Sequence, residues 1–329
     1  MAFIEESGRW AAVRRLCPNL SLGWLRVYTS LRAQRGSSAG QNKRLPSFFI
    51  LGPPRTGTTW LHEILGPSTL LPSPTKETRF FDRHFRRGLN WYLAHFPAAN
   101  DPLPMGEVAP TYFASAHARQ RIARLIPDAK VICVFRNPVD RVLSLYRLKR
   151  AHGMSPWTFE QAILKDPELF ESGRYATHLK AWFSALGKKQ VLVTVYEDLK
   201  RNPQAYLNTL ADFLSIARIS LTSSQLRFIN ASEGLTHPRS YFLTRAATGM
   251  ADWFKAARLD RLLAAAKSKY FLKLLLRSGS SFDALSPDRT DQLYELLRTE
   301  VEELEALLHR DFSDWKSGAA NTSAVQVAA

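Results

Sequence analysis

A chain of 329 residues with 45% hydrophobic residues can bury a large core, as one α/β domain or as a domain with extensions. Its two cysteines, Cys17 and Cys133, exclude a disulfide scaffold and lack metal-ligand spacing, which fits a reducing compartment. The formal net charge of +16 points to anionic partners, and no apolar run approaches the about 18 residues of a transmembrane helix.

In chain order, residues 1–44 read as a helical extension ending in a linker. Trp10, Val13, Leu16 and Leu20 recur at helical spacing, as do Leu22, Leu25 and Tyr28, before the glycine- and serine-rich stretch from Arg35 to Asn42. The segment carries no signal-peptide core, so a cytoplasmic protein is expected. The main domain is expected over 45–315. It opens with a strand at 47–51, a helix from about Gly57 to Gly66 and a short strand at Leu70-Leu71. Helices follow at about 86–95, 115–126, 138–151 and 174–186, with strands at 130–135 and 191–195. Alternating strands and helices predict a central parallel sheet flanked by helices, with ligands beyond the carboxyl ends of the strands. Beyond residue 230 the pattern is helical. Residues 253–277 form a basic amphipathic stretch suited to packing on the core, and also to peripheral membrane contact or an anionic acceptor. A last helix spans Pro287 to Phe312, and 316–329 read as a disordered tail.

The chemistry concentrates in two loops. Gly52-Pro53-Pro54-Arg55-Thr56-Gly57-Thr58-Thr59 follows the apolar run Phe48-Phe49-Ile50-Leu51, the layout of a phosphate-binding loop that offers N–H groups at a helix N-terminus. A nucleotide triphosphatase carries lysine where this chain has Thr58, and here the cation is Arg55, earlier in the loop. The second strand, Lys130 to Phe135, ends in Arg136 where a triphosphatase commonly places a magnesium-positioning aspartate. Asn137 and Pro138 then start a helix that carries Ser144 two turns in. A cation and a hydroxyl stand where a metal ligand would otherwise be. The pattern predicts metal-free binding of a two-phosphate nucleotide on a P-loop-like three-layer α/β fold.

These residues resemble the sulfotransferases that use 3′-phosphoadenosine 5′-phosphosulfate. The resemblance rests on Pro53 to Trp60 and on Phe135-Arg136-Asn137-Pro138 with Ser144-Leu145-Tyr146. A third segment, Lys76-Glu77-Thr78-Arg79-Phe80-Phe81-Asp82 with Gly88 to Tyr92 and Phe96-Pro97, resembles the branch acting on heparan sulfate and other glycosaminoglycans. The resemblance covers about residues 46–200. It implies that Arg55, Thr56, Gly57, Thr58, Thr59 and Trp60 hold the 5′-phosphosulfate, and that Arg136 and Ser144 hold the 3′-phosphate. It implies Glu77 as general base, in a site walled by Phe80 and Phe81, and Arg55 as the electrostatic clamp on the leaving oxygen. Lys76, Arg79, Asp82 and His84 are candidate acceptor contacts, with Arg79 standing where relatives often have histidine. Tyr175 and Arg239 are candidate nucleotide contacts; Arg239 stands in for a basic glycine loop without a clean match. Glu107-Val108-Ala109-Pro110-Thr111-Tyr112 is similar to that branch's E-K-T-P-x-Y segment, with Val108 replacing its lysine.

The implied function is sulfuryl transfer to a hydroxyl or amine, with a glycan as the leading acceptor and no metal or nucleic-acid partner. A P-loop nucleotide kinase and a non-catalytic basic module for glycans or membranes remain alternatives. Animal relatives of the glycan branch usually carry a membrane anchor, so the soluble part of a Golgi-lumenal enzyme stands beside the cytoplasmic reading.

Overall fold

The computed structural model describes residues 44–97, 102–227, 245, 249, 282, 285 and 286, and 287–316. The expected N-terminal helices with Cys17, the 253–277 stretch, Arg239 and the tail from 317 lie outside the described residues.

The strands are β1 (Phe48–Leu51), β2 (Gly106–Val108), β3 (Lys130–Phe135) and β4 (Val191–Val195). The helices are α1 (Thr58–Leu65), α2 (Leu89–Leu93), α3 (Ala116–Leu125), α4 (Pro138–Ala151), α5 (Phe159–Lys165), α6 (Glu168–Glu171), α7 (Tyr175–Leu186), α8 (Tyr196–Arg201), α9 (Pro203–Leu214), α10 (Ser223–Arg227) and α11 (Pro287–Leu308). The four strands form a parallel sheet in the order β2-β1-β3-β4. Non-consecutive neighbours require crossovers, and helices supply them on both faces.

The lack of polar alternation in β1 and β3 now has a structural cause. Side chains alternate between the faces of a strand, and both faces are covered. Phe49 and Leu51 of β1 join Val131, Cys133 and Phe135 of β3 in a core shared with α3, α7 and α11. Phe48 and Ile50 join Ile132 and Val134 in a second core against α1, α8 and α9. Water reaches neither face, so every position but Lys130 at the start of β3 is apolar.

Three expectations are corrected. Strand β2 was not foreseen, because Gly106-Glu107-Val108 is three residues long and centres on a carboxylate. Leu70 forms only an isolated bridge with Met105, beside that unforeseen strand. The helix expected at about 86–95 is broken into a 3₁₀ turn at Phe85–Arg87 and α2, because Gly88 between them has φ 82.

Gly106 is fixed by packing. It pairs with Phe48 across β1, and a Cβ at this position would fall 2.2 Å from the Phe48 ring. That ring is buried between sheet and helices and has no room to move. Gly106→Ala is expected to destabilise the domain by about 1–3 kcal/mol; an unchanged urea midpoint would contradict this packing.

Candidate functional site

The loop between β1 and α1 leaves the sheet at its carboxyl edge. Gly57, the residue before α1, has φ 86, a left-handed conformation that glycine adopts without strain. A Cβ there would also stand 3.0 Å from the Tyr196 ring, so backbone freedom and close packing both require glycine. Arg55 takes φ 77 despite its side chain, a costly conformation held by the loop around it. The Thr56 hydroxyl donates to the Pro53 carbonyl at 2.9 Å and ties the turn to itself. Thr58 is buried at the helix start, and Thr59 is exposed one residue later.

The second loop is pinned from three directions. The Asn137 side chain accepts from the N–H groups of Val139 at 3.0 Å and Asp140 at 3.3 Å, capping α4. Its own backbone N–H donates to Glu197 Oε1 at 2.9 Å. The Tyr175 hydroxyl donates to the Arg136 carbonyl at 2.9 Å. The Arg136 backbone is therefore fixed while its guanidinium lies over the Tyr196 ring, 5.1 Å from the centroid, and 3.8 Å from Asp140.

These loops meet. Arg55 Nε donates to Ser144 Oγ at 2.9 Å, across 89 residues of sequence. Burial lowers the Arg55 pKa and the nearby Arg136 cation lowers it further, while the Tyr196 ring hydroxyl opposes the shift. Two half-buried guanidinium groups repel one another unless an anion sits between them. The arrangement is that of an anion cradle.

At the first turn of α1, Lys76 Nζ donates to Thr59 Oγ1 at 3.1 Å and lies 3.4 Å from Glu77 Oε1. The expected acceptor contacts Arg79, Asp82 and His84 sit on the turn that follows. Arg79 has φ 52, and its carbonyl accepts from the N–H groups of Arg83 and His84, each at 2.9 Å, closing a π-helical turn over Phe80–His84. Asp82 Oδ2 accepts from the Thr111 hydroxyl at 2.9 Å. The His84 ring packs edge-on against Trp91, and burial followed by the Arg87 cation lowers its pKa.

Several expected residues face inward. Tyr175 is 1% exposed and stacked on Phe135, so it orients Arg136 rather than presenting its ring to a nucleotide. Trp60 is also buried; its indole N–H donates to the Gln225 carbonyl at 3.0 Å and couples the loop helix to α10. Phe80 and Phe81, expected as a wall beside Glu77, are fully buried. They pack in the core against Tyr92 and Tyr112.

Tyr196 escaped the sequence reading, and Glu107 entered it only as the first residue of the segment similar to E-K-T-P-x-Y, without a role of its own. Tyr196, the first residue of α8 directly after β4, lies between Gly57 and Arg136 and couples both loops. Glu107 on β2 is fully buried and accepts from four donor groups on three residues. Thr78 donates its N–H at 2.8 Å and its hydroxyl at 2.7 Å to Oε1, Tyr92 donates to Oε2 at 2.9 Å, and the Tyr112 hydroxyl lies 3.3 Å from both oxygens. A carboxylate between a glycine and a valine in an otherwise apolar stretch was the signal available. Thr78 directly follows Glu77, so this buried carboxyl anchors the segment that carries it.

A family model described as a sulfotransferase domain matches residues 45–242. A bifunctional heparan sulfate N-deacetylase/N-sulfotransferase 2 from Bos taurus is 35% identical over 208 residues, which cover 56% of this chain and 24% of that protein. A bifunctional heparan sulfate N-deacetylase/N-sulfotransferase 1 from Mus musculus is 33% identical over 196 residues, covering 53% and 22%. The chain thus spans about a quarter of the length of these curated relatives. A crystal structure of a sulfotransferase from Alicyclobacillus acidocaldarius superposes with a TM-score of 0.58 at 21% identity, over 83% of this chain and 99% of that one, a likeness of fold.

Burial pushes the Glu107 carboxyl up from an ordinary 4.5 to about 7, against four hydrogen bonds that favour its ionised form. The folded state thus keeps a proton that the unfolded chain releases near pH 4.5, and this group's contribution to stability falls as pH rises from there through about 7. Relative to Glu107→Gln, the wild type should lose on the order of 3 kcal/mol between pH 4.5 and pH 8 in urea unfolding. Equal pH slopes for the two proteins would contradict this.

Proposed function

Since the chain belongs to the sulfotransferase family by its match over residues 45–242, we propose that it moves the sulfuryl group of 3′-phosphoadenosine 5′-phosphosulfate to a hydroxyl or amine of a carbohydrate. The observation that carries this reading is the Arg55–Ser144 hydrogen bond with Arg136 close by, at the carboxyl ends of adjacent parallel strands. In it Arg136 and Ser144 take the 3′-phosphate, while Thr58, Thr59 and the N-terminal N–H groups of α1 take the 5′-phosphate. Arg55, within reach of both, clamps the charge that grows on the leaving oxygen. The nucleotide leaves as adenosine 3′,5′-bisphosphate.

Glu77 is the proposed base. Its carboxylate would take the proton of the attacking group as the acceptor approaches sulfur in line with the departing phosphate. Arg79, Asp82 and His84, on the turn beyond it, are the proposed acceptor contacts. The carbohydrate preference draws on the names of the heparan sulfate relatives. The replacement of a lysine by buried Val108 counts against heparan sulfate itself. Cytoplasmic placement is an expectation of the sequence and enters no step.

The rival kinase reading differs in what it binds. Calorimetric titration without magnesium is expected to show binding of adenosine 3′,5′-bisphosphate that Arg136→Ala weakens by about 1.5 kcal/mol or more, the scale of a charge-assisted contact. Tighter, magnesium-dependent ATP binding would identify a kinase instead.

Glu77→Gln is expected to lower labelled-sulfate transfer about 100-fold or more while leaving bisphosphate affinity unchanged. Full turnover in that variant would remove Glu77 from the mechanism.

A further inference from the structure

Lys76 is the side chain that touches both halves of the site. Its ammonium donates to the Thr59 hydroxyl in the first turn of α1, on the side assigned to the donor, and reaches the Glu77 carboxylate at 3.4 Å on the acceptor side. The cation within the phosphate loop is Arg55, and arginine holds its proton throughout the accessible pH range. It stabilises charge on a leaving oxygen and gives it no proton. A lysine can do both.

We propose that Lys76 is a catalytic residue that carries the acceptor's proton from Glu77 to the departing phosphate. The proposal rests on the sulfotransferase reading. As the acceptor oxygen or nitrogen forms its bond to sulfur, Glu77 takes the acceptor's proton. The bond between sulfur and the bridging oxygen breaks, and its electron pair stays on the phosphate oxygen, which accepts a proton from Lys76 Nζ. The neutral amine then recovers a proton from the Glu77 carboxylic acid across their contact. Both residues return to their starting charge, and the acceptor's proton leaves on the nucleotide.

The surroundings suit this role. Burial is the largest influence lowering the Lys76 pKa from its ordinary 10.5, and the Arg55 cation acts in the same direction. The carboxylates of Glu77 and of Glu63 on α1 oppose the shift. His62, also on α1, faces the same ammonium. A plain structural role, with Lys76 only holding Glu77 in place, requires the charge and not the transferable proton.

Lys76→Arg separates the two, because it keeps the charge and removes the proton donor. The relay predicts that kcat falls about 100-fold while the Kd for adenosine 3′,5′-bisphosphate changes less than about 2-fold. It also predicts that the alkaline fall in wild-type kcat is missing in the variant. A variant with wild-type kcat and an intact alkaline limb would overturn the relay. A second measurement needs no turnover: acylation of wild-type Lys76 by an amine-selective reagent, followed by mass spectrometry against pH. The expected result is a midpoint below 10.5 and protection by the bisphosphate. A midpoint at or above that value, with no protection, would also overturn it. If wild-type protein fails to bind the bisphosphate, the sulfotransferase reading itself falls, a result distinct from either.

Discussion

Two arginines held close together at the ends of two neighbouring strands set the terms for this site. Arg55 comes from the turn after β1, Arg136 from the end of β3, and the Ser144 hydroxyl accepts from the first. Partial burial makes their repulsion stronger than it would be in water. The fold tolerates it because each backbone is fixed independently: Arg55 by the turn that Thr56 closes, Arg136 by the Tyr175 and Glu197 hydrogen bonds on either side of its peptide. Electrostatic strain of this kind is relieved by an anion, and it disposes the site to bind one before any contact to a base or sugar is made.

The acceptor side is built on the opposite plan. There a buried carboxyl, Glu107, gathers donors from three separate stretches of chain: Thr78, Tyr92 and Tyr112. Close by in the sequence, Phe80, Phe81 and Phe85 form a packed aromatic cluster in the core. The segment carrying the proposed base is therefore anchored through Thr78, although it has no regular secondary structure of its own. Strand ends position the cations, and a polar knot in the core anchors the segment of the proposed base.

Much of this was legible in the residue pattern, because β1 and, from Val131 onward, β3 are covered on both faces and read as unbroken apolar runs, and because Asn137-Pro138 announces its helix by cap and first-turn residue. What escaped has a common physical cause. β2 owes its existence to pairing with β1 and not to its own composition, so three residues containing a glycine and a glutamate gave no local signal. Tyr175 and Trp60 were placed at the ligand by their motifs, whereas tertiary packing turns them inward, where they hold the loops that face it. The coupling of both loops through Tyr196 depends on a contact between distant segments, and distances across the fold are not written in spacing along the chain.

A crystal structure of the complex with adenosine 3′,5′-bisphosphate tests the central claim most directly. The 3′-phosphate is expected within hydrogen-bonding distance of Arg136 and Ser144, and the 5′-phosphate at the N-terminus of α1 beside Thr58 and Thr59. A nucleotide whose 3′-phosphate lies away from both Arg136 and Ser144 would contradict it.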